Sequence, residues 1–217
     1  MSAATFSRNV FINCPFDAAY LPKLRAMLFT IIYLGYTPRI ASERSDAGEP
    51  RLEKLRELIA ESQWSIHDLS RLRSKASREF YRLNMSFELG VDHGARLFGP
   101  EGLREKRCLI LETTAHDFRR ALSDLAGMDI KAHGDKAEGV VRAVRDWFVE
   151  TVGLRQVATA TVIWFRYIDF TSAFWEEMQA AGSPASDIEA LPLIELIHHM
   201  QLWVAAPGAR GAGPGTG

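Results

Sequence analysis

Two acids and the cations between them are the residues whose types and spacing could do chemistry. Asp68 follows Ser65-Ile66-His67, and Glu88 stands in Asn84-Met85-Ser86-Phe87-Glu88-Leu89-Gly90. The connector between them carries Arg71, Arg73, Lys75, Arg78 and Arg82 against the single acid Glu79. An acid at a strand end caps the next segment or holds a sugar hydroxyl. A carboxylate in the first turn of a helix is favoured by the helix dipole, and guanidinium groups grip phosphates in bidentate fashion. The three together point to chemistry on a nucleotide. Each position also has a plainer reading: local capping for Asp68, a solvated or Arg82-paired side chain for Glu88, and a solvated charged surface for the connector.

The elements that must position these residues follow from hydrophobic periodicity. Residues Asn9 to Cys14 form a short apolar run closed by Pro15, as expected of a buried strand. From Tyr20 to Leu34 the apolar residues Leu21, Leu24, Leu28, Ile31 and Leu34 recur at helical spacing, with Gly35 placed as a C-cap glycine. A second strand is expected over Pro38 to Ser42, and a helix starting near Pro50 and marked by Leu52, Leu55, Leu58 and Ile59. Trp64 to Leu69 reads as the third strand, Asn84 to Phe98 as a helix with Asn84 as its N-cap, and Arg107 to Glu112 as the fourth strand. Ile130 marks a possible short fifth strand, and Val140, Val141, Val144, Trp147 and Phe148 line a closing helix. Alternation of this kind predicts a flavodoxin-like, doubly wound, mainly parallel sheet of four or five strands over residues 1–153. Gly90 and Gly94 are expected to let their helix approach the sheet closely.

In such a sheet ligands bind beyond the carboxyl ends of the strands, where strand order reverses. That rule collects Asn13, Pro15, Phe16 and Asp17 after the first strand and Ser42, Glu43 and Asp46 after the second. After the third it collects Asp68, Ser70, Arg71 and Arg82, with Asn84 and Glu88 entering from the helix. Glu88 and Asp68 are the candidates for chemistry; Asn13, Pro15, Phe16, Asp17, Ser70, Arg71, Arg82 and Asn84 are the candidates for holding the nucleotide.

Residues 154–206 break the alternation and predict two helices, around Val157 to Met178 and Asp187 to Val204, separated by Gly182-Ser183-Pro184. Their aromatic residues need burial, either as a cap on the sheet domain or as the interface of a homo-oligomer. Residues 207–217 are almost all Gly, Ala and Pro and are expected to fray. At 217 residues, 47% hydrophobic and 24% charged, the chain is composed like a folded domain, and its net charge of −1 argues against bulk attraction to nucleic acid or membrane. Cys14 and Cys108 lie in apolar runs and read as reduced core residues, which with the absence of a signal-like start suggests a cytoplasmic protein. No apolar run approaches the ~20 residues needed to span a bilayer. The GxxxxGK[ST], GxGxxG, CxxC, HExxH and GxSxG patterns are missing, and His198-His199 has no carboxylate or cysteine at ligand spacing, so no metal or resident cofactor is expected.

The segments Val10-Phe11-Ile12-Asn13, Ser65-Ile66-His67-Asp68 and Phe87-Glu88-Leu89-Gly90 resemble those of the nucleoside 2-deoxyribosyltransferase-like and TIR-like proteins over roughly the first 150 residues. The resemblance implies a flavodoxin-like sheet. It makes Glu88 the nucleophile of a deoxyribosyltransferase-like site, with Asp68 on the sugar hydroxyls, or the glutamate supporting NAD cleavage in a TIR-like site. Breaking an N-glycosidic bond develops oxocarbenium character that a carboxylate can stabilise or attack. Nicotinamide leaves as a neutral base and needs little acid help, whereas an ordinary nucleobase needs a proton donor. With one strong carboxylate and no convincing acid, NAD or a related nucleotide is the expected substrate. A non-catalytic nucleotide sensor and a self-assembling TIR-type adaptor are the competing readings.

Overall fold

The computed structural model describes residues 3–43, 46–71, 83–116, 118, 122–125 and 127–208. After a single helical turn, α1 (Ala3–Phe6), strands and helices alternate: β1 (Asn9–Asn13), α2 (Leu21–Tyr33), β2 (Thr37–Ile40), α3 (Arg51–Ala60), β3 (Trp64–Asp68), α4 (Leu83–Phe98), β4 (Arg107–Glu112), β5 (Ile130–Ala132) and α5 (Ala137–Trp147). The five strands form one sheet in the order β2-β1-β3-β4-β5, and every neighbouring pair is parallel. This is the doubly wound arrangement of flavodoxin-like folds. β1 is buried along its whole length, as a central parallel strand covered on both faces must be.

Alternate residues of the strands serve the two faces. Val10, Ile12, Ile66, Leu109 and Leu111 pack with Leu24, Leu28, Val140 and Val144 of α2 and α5. Phe11 packs on the opposite face with Leu55, Leu58 and Ile59 of α3 and with Val91 and Ala95 of α4. Gly35 ends α2 as expected, with a φ of +86° and Tyr36 N donating back to Ile31 O at 3.0 Å.

The C-terminal helices form a third layer. Helix α6 (Ala160–Ala180) is N-capped by Thr159 Oγ1, which accepts from Val162 N at 3.4 Å. The helix expected over Asp187 to Val204 is two helices, α7 (Ala185–Glu189) and α8 (Leu193–Ala205), because Pro192 cannot donate a backbone hydrogen bond and disfavours helix at Leu191. These helices cap α2 and α5 rather than the sheet itself. Phe29 of α2 is fully buried, its ring 5.5 Å from Tyr167, 5.6 Å from Phe170 and 5.8 Å from Trp203. Phe29→Leu keeps the burial but removes the ring contacts; it is expected to cost about 1–2 kcal/mol in urea denaturation. Among the described residues no helix is long and apolar enough to cross a membrane.

Candidate functional site

Strand order reverses between β1 and β3, so the crevice lies at the ends of these two strands, where Asn13 stands beside His67 in register. Side-chain alternation divides the site. Asn13 and His67 point to the α4 side and Asp68 to the α2 side.

On the α4 side, Asn13 Nδ2 donates to Met85 O at 2.9 Å and to His67 Nδ1 at 3.1 Å. An imidazole that accepts at Nδ1 carries its proton on Nε2, and His67 Nε2 lies 3.0 Å from Asp92 Oδ2. The same oxygen accepts from Ser65 Oγ, while Lys106 Nζ lies 3.1 Å from Asp92 Oδ1 and donates to Ile59 O at 2.9 Å and to Ser62 O. Every member of this chain from Asn13 to Lys106 is buried, and it pins α4 to the sheet. Among the described residues, Asn13 Oδ1 is buried with no hydrogen-bond partner, and Asp92 Oδ1 has only its ion-pair contact with Lys106. One turn before Asp92 on the same helix, the buried Glu88 receives Arg51 Nη2 on Oε1 at 3.0 Å.

On the α2 side, Asp68 is completely buried and its oxygens are engaged. Oδ1 accepts from Ser70 N at 2.9 Å; Oδ2 accepts from the Tyr20 hydroxyl and lies 3.2 Å from His133 Nε2. Burial, and then the adjacent Asp68 charge, push the Tyr20 hydroxyl well above its ordinary pKa, so it serves as a donor to that carboxylate. Tyr20→Phe is expected to cost about 1–2 kcal/mol in urea denaturation by removing that donor from a buried acceptor. Ser70 Oγ is 2.8 Å from His133 Nε2, the spacing of a serine nucleophile and its base. Asp135 N donates to His133 Nδ1 at 3.1 Å, however, so Nε2 holds the ring proton and cannot take one from Ser70. The rim beyond is paired: Lys23 Nζ with Asp135 Oδ1 at 2.7 Å, and Arg71 Nη2 with Asp17 Oδ1 at 3.1 Å.

Cys14 follows β1 and is buried in the core on the α2 side. Burial raises its thiol pKa well above the ordinary value, and the charges of Asp68, Glu88 and Asp17 raise it further in that order. No family model, curated protein or solved structure matches this chain. The site therefore has to be read from its own geometry.

Of the residues expected at the site, Asn13, Pro15 and Asp68 are buried at the strand ends and Glu88 is buried on α4, Asp17, Ser70 and Arg71 are half-buried, and Phe16 is exposed. Asp17 also closes the turn before α2, accepting from Tyr20 N at 3.1 Å. Asn84 is exposed and does not cap α4, which already includes Leu83; a cap preference is a weak bias against helix propagation. Glu88 therefore lies in the second turn of α4, where the dipole acts less strongly. Gly90 and Gly94 face away from the sheet, with open space where a Cβ would stand. Arg82 and the connector from 72 onward lie outside the described residues. Periodicity and motif spacing do not mark Arg51, Tyr20, His133, Asp92 or Lys106; of these, only Arg51 has a usable signal, as the cation that follows the second strand and opens the next helix. A separate cavity of about 550 Å³ lies where β4 and β5 begin, lined by Arg96, Arg107, Cys108 and Lys131 among others, and none of the candidate residues lines it. Among the described residues no three His, Cys, Asp or Glu side chains are grouped to hold a metal ion.

Proposed function

We propose that this chain acts on the N-glycosidic bond of a nucleotide, NAD or a related one, with Glu88 as the carboxylate that meets the anomeric carbon. The observation that carries this reading is the burial of Glu88 on α4, the helix that follows β3, where its carboxylate is answered by the guanidinium of a solvent-exposed arginine. A buried carboxylate is costly, and one held at a ligand edge by a displaceable partner suits stabilisation of positive charge on a sugar. The resemblance of Phe87-Glu88-Leu89-Gly90 to deoxyribosyltransferase-like and TIR-like proteins selects the same residue. Asp68 becomes an organiser of the α2 wall, since Ser70, Tyr20 and His133 already occupy its oxygens. The buried tyrosine keeps its proton for Asp68 and offers no acid to a leaving base, which favours a substrate such as NAD whose base leaves neutral. Cys14 and Cys108 are free thiols, in keeping with a reducing compartment such as the cytoplasm.

Engagement of both Asp68 oxygens also supports a second reading, a site that binds a nucleotide without turning it over. Incubating the purified chain with NAD and with deoxynucleosides, following released base by chromatography and binding by calorimetry, separates the two. Released base supports the enzyme, binding without release supports the sensor, and the absence of both would overturn a nucleotide function.

A further inference from the structure

The pair that closes over Glu88 is unequal: its side chain is 7% exposed and that of Arg51 is 67% exposed. A single guanidinium nitrogen, Nη2, makes the contact, although an arginine side chain carries five N–H donors. Arg51 is the first residue of α3 and reaches the site from the segment that follows the carboxyl end of β2, so its anchorage is a rim segment and not the core. No side chain caps the start of α3, and the positive end of its dipole adds to the pull of Arg51 on an anion.

We propose that Arg51 is an anion-responsive latch on Glu88, so that the site takes nucleotides bearing a phosphate and discriminates against neutral nucleosides. The proposal rests on the reading of Glu88 given above and specifies its substrate class. An ion pair with one solvated partner is weak, whereas a guanidinium holds a phosphate through two parallel charge-assisted hydrogen bonds. A phosphate arriving at the rim therefore draws Arg51 away, and the carboxylate of Glu88 is uncovered only when the charged part of the ligand is in place. A neutral nucleoside has nothing to exchange for the guanidinium and meets a carboxylate that is still covered. The same exchange makes Arg51 a positioning residue for the phosphate in the bound state.

The test uses the full chain with ¹³C-labelled glutamate, the Glu88 side-chain resonance being assigned by its loss in Glu88→Gln. Inorganic pyrophosphate is expected to shift that resonance saturably in the wild type and to leave it in place in Arg51→Gln. Calorimetry is expected to show AMP binding about tenfold tighter than adenosine in the wild type, with the ratio falling to about twofold in Arg51→Gln and to an intermediate value in Arg51→Lys. An unmoved Glu88 resonance, or an unchanged AMP-to-adenosine ratio in Arg51→Gln, overturns the latch. Turnover without an anion response would remove the latch and keep the enzyme; an anion response without turnover would keep the latch and remove the enzyme.

Discussion

Replacing Asp92 with alanine is expected to lower stability by about 3–5 kcal/mol in urea denaturation, because it leaves a buried ammonium without its counter-charge. Lys106 is fully buried and holds its place through Asp92 Oδ1 at 3.1 Å and the carbonyl groups of Ile59 and Ser62. Asp92 in turn answers Ser65 and His67, so its loss also frees the ring that orients Asn13. A double variant, Asp92→Asn with Lys106→Met, is expected to recover a large part of the loss, since an apolar replacement of a buried pair costs far less than a broken one. The pH dependence has a definite sign. Burial alone would raise the Asp92 pKa, but the hydrogen bond from His67, followed by the Lys106 ammonium and the Ser65 hydroxyl, holds it well below the usual carboxylate range. A carboxyl whose folded pKa lies below its unfolded value, about 3.9, stabilises the fold fully above that value and loses the contribution as pH falls below it. Wild-type stability should therefore fall as pH drops below about 4, and Asp92→Asn should flatten that acid-side slope.

The legible parts of the fold are those written in local periodicity. β4 (Arg107–Glu112) coincides with its apolar run, and the ends of α2 follow from a helical stripe that stops at Gly35. Strand order is not local, but alternating strands and helices leave few ways to cover both faces of a parallel sheet, and the order β2-β1-β3-β4-β5 is one of them. The break before α8 is hidden because the apolar pattern from Ile188 to Val204 continues on both sides of Pro192, so periodicity alone joins what a missing N–H separates.

Asp17 with Arg71 and Asp68 with Ser70 are pairs whose members both stand among the expected residues, but the other pairs of the site are legible through one member alone. Glu88 can be chosen from its motif and its place after the third strand, but Arg51, which answers it, lies 37 positions earlier. Tyr20 reaches Asp68 across 48 positions, and His133 reaches Ser70 across 63. Such contacts come from closing the sheet and have no signature in spacing along the chain. The sugar-binding role expected of Asp68 shows the consequence. An acid at a strand end looks available for a sugar hydroxyl until the two donors that reach it from distant segments, Tyr20 and His133, are known.

Glu88→Gln is expected to reduce kcat for nucleotide turnover by at least about 100-fold while changing stability by less than about 1 kcal/mol. Glu88 and Asp92 are both buried acids on one face of α4, four residues apart, and their surroundings separate their roles. Asp92 is held by fixed donors that are themselves buried, so losing it breaks the fold. Among the described residues Glu88 is held by one arginine that water can solvate once released, so the charge is expected to be dispensable to the fold and a buried carboxylate is not the choice of stability alone. Glutamine keeps the length and an acceptor oxygen for Arg51 but cannot stabilise an oxocarbenium ion by charge or form a glycosyl ester. Steady-state kinetics and urea denaturation on the same preparations check both halves. Retained turnover would remove Glu88 from the chemistry, and a loss of several kcal/mol would make it a structural acid like Asp92. Loss of turnover with intact stability is the combination that only a residue kept for the ligand produces.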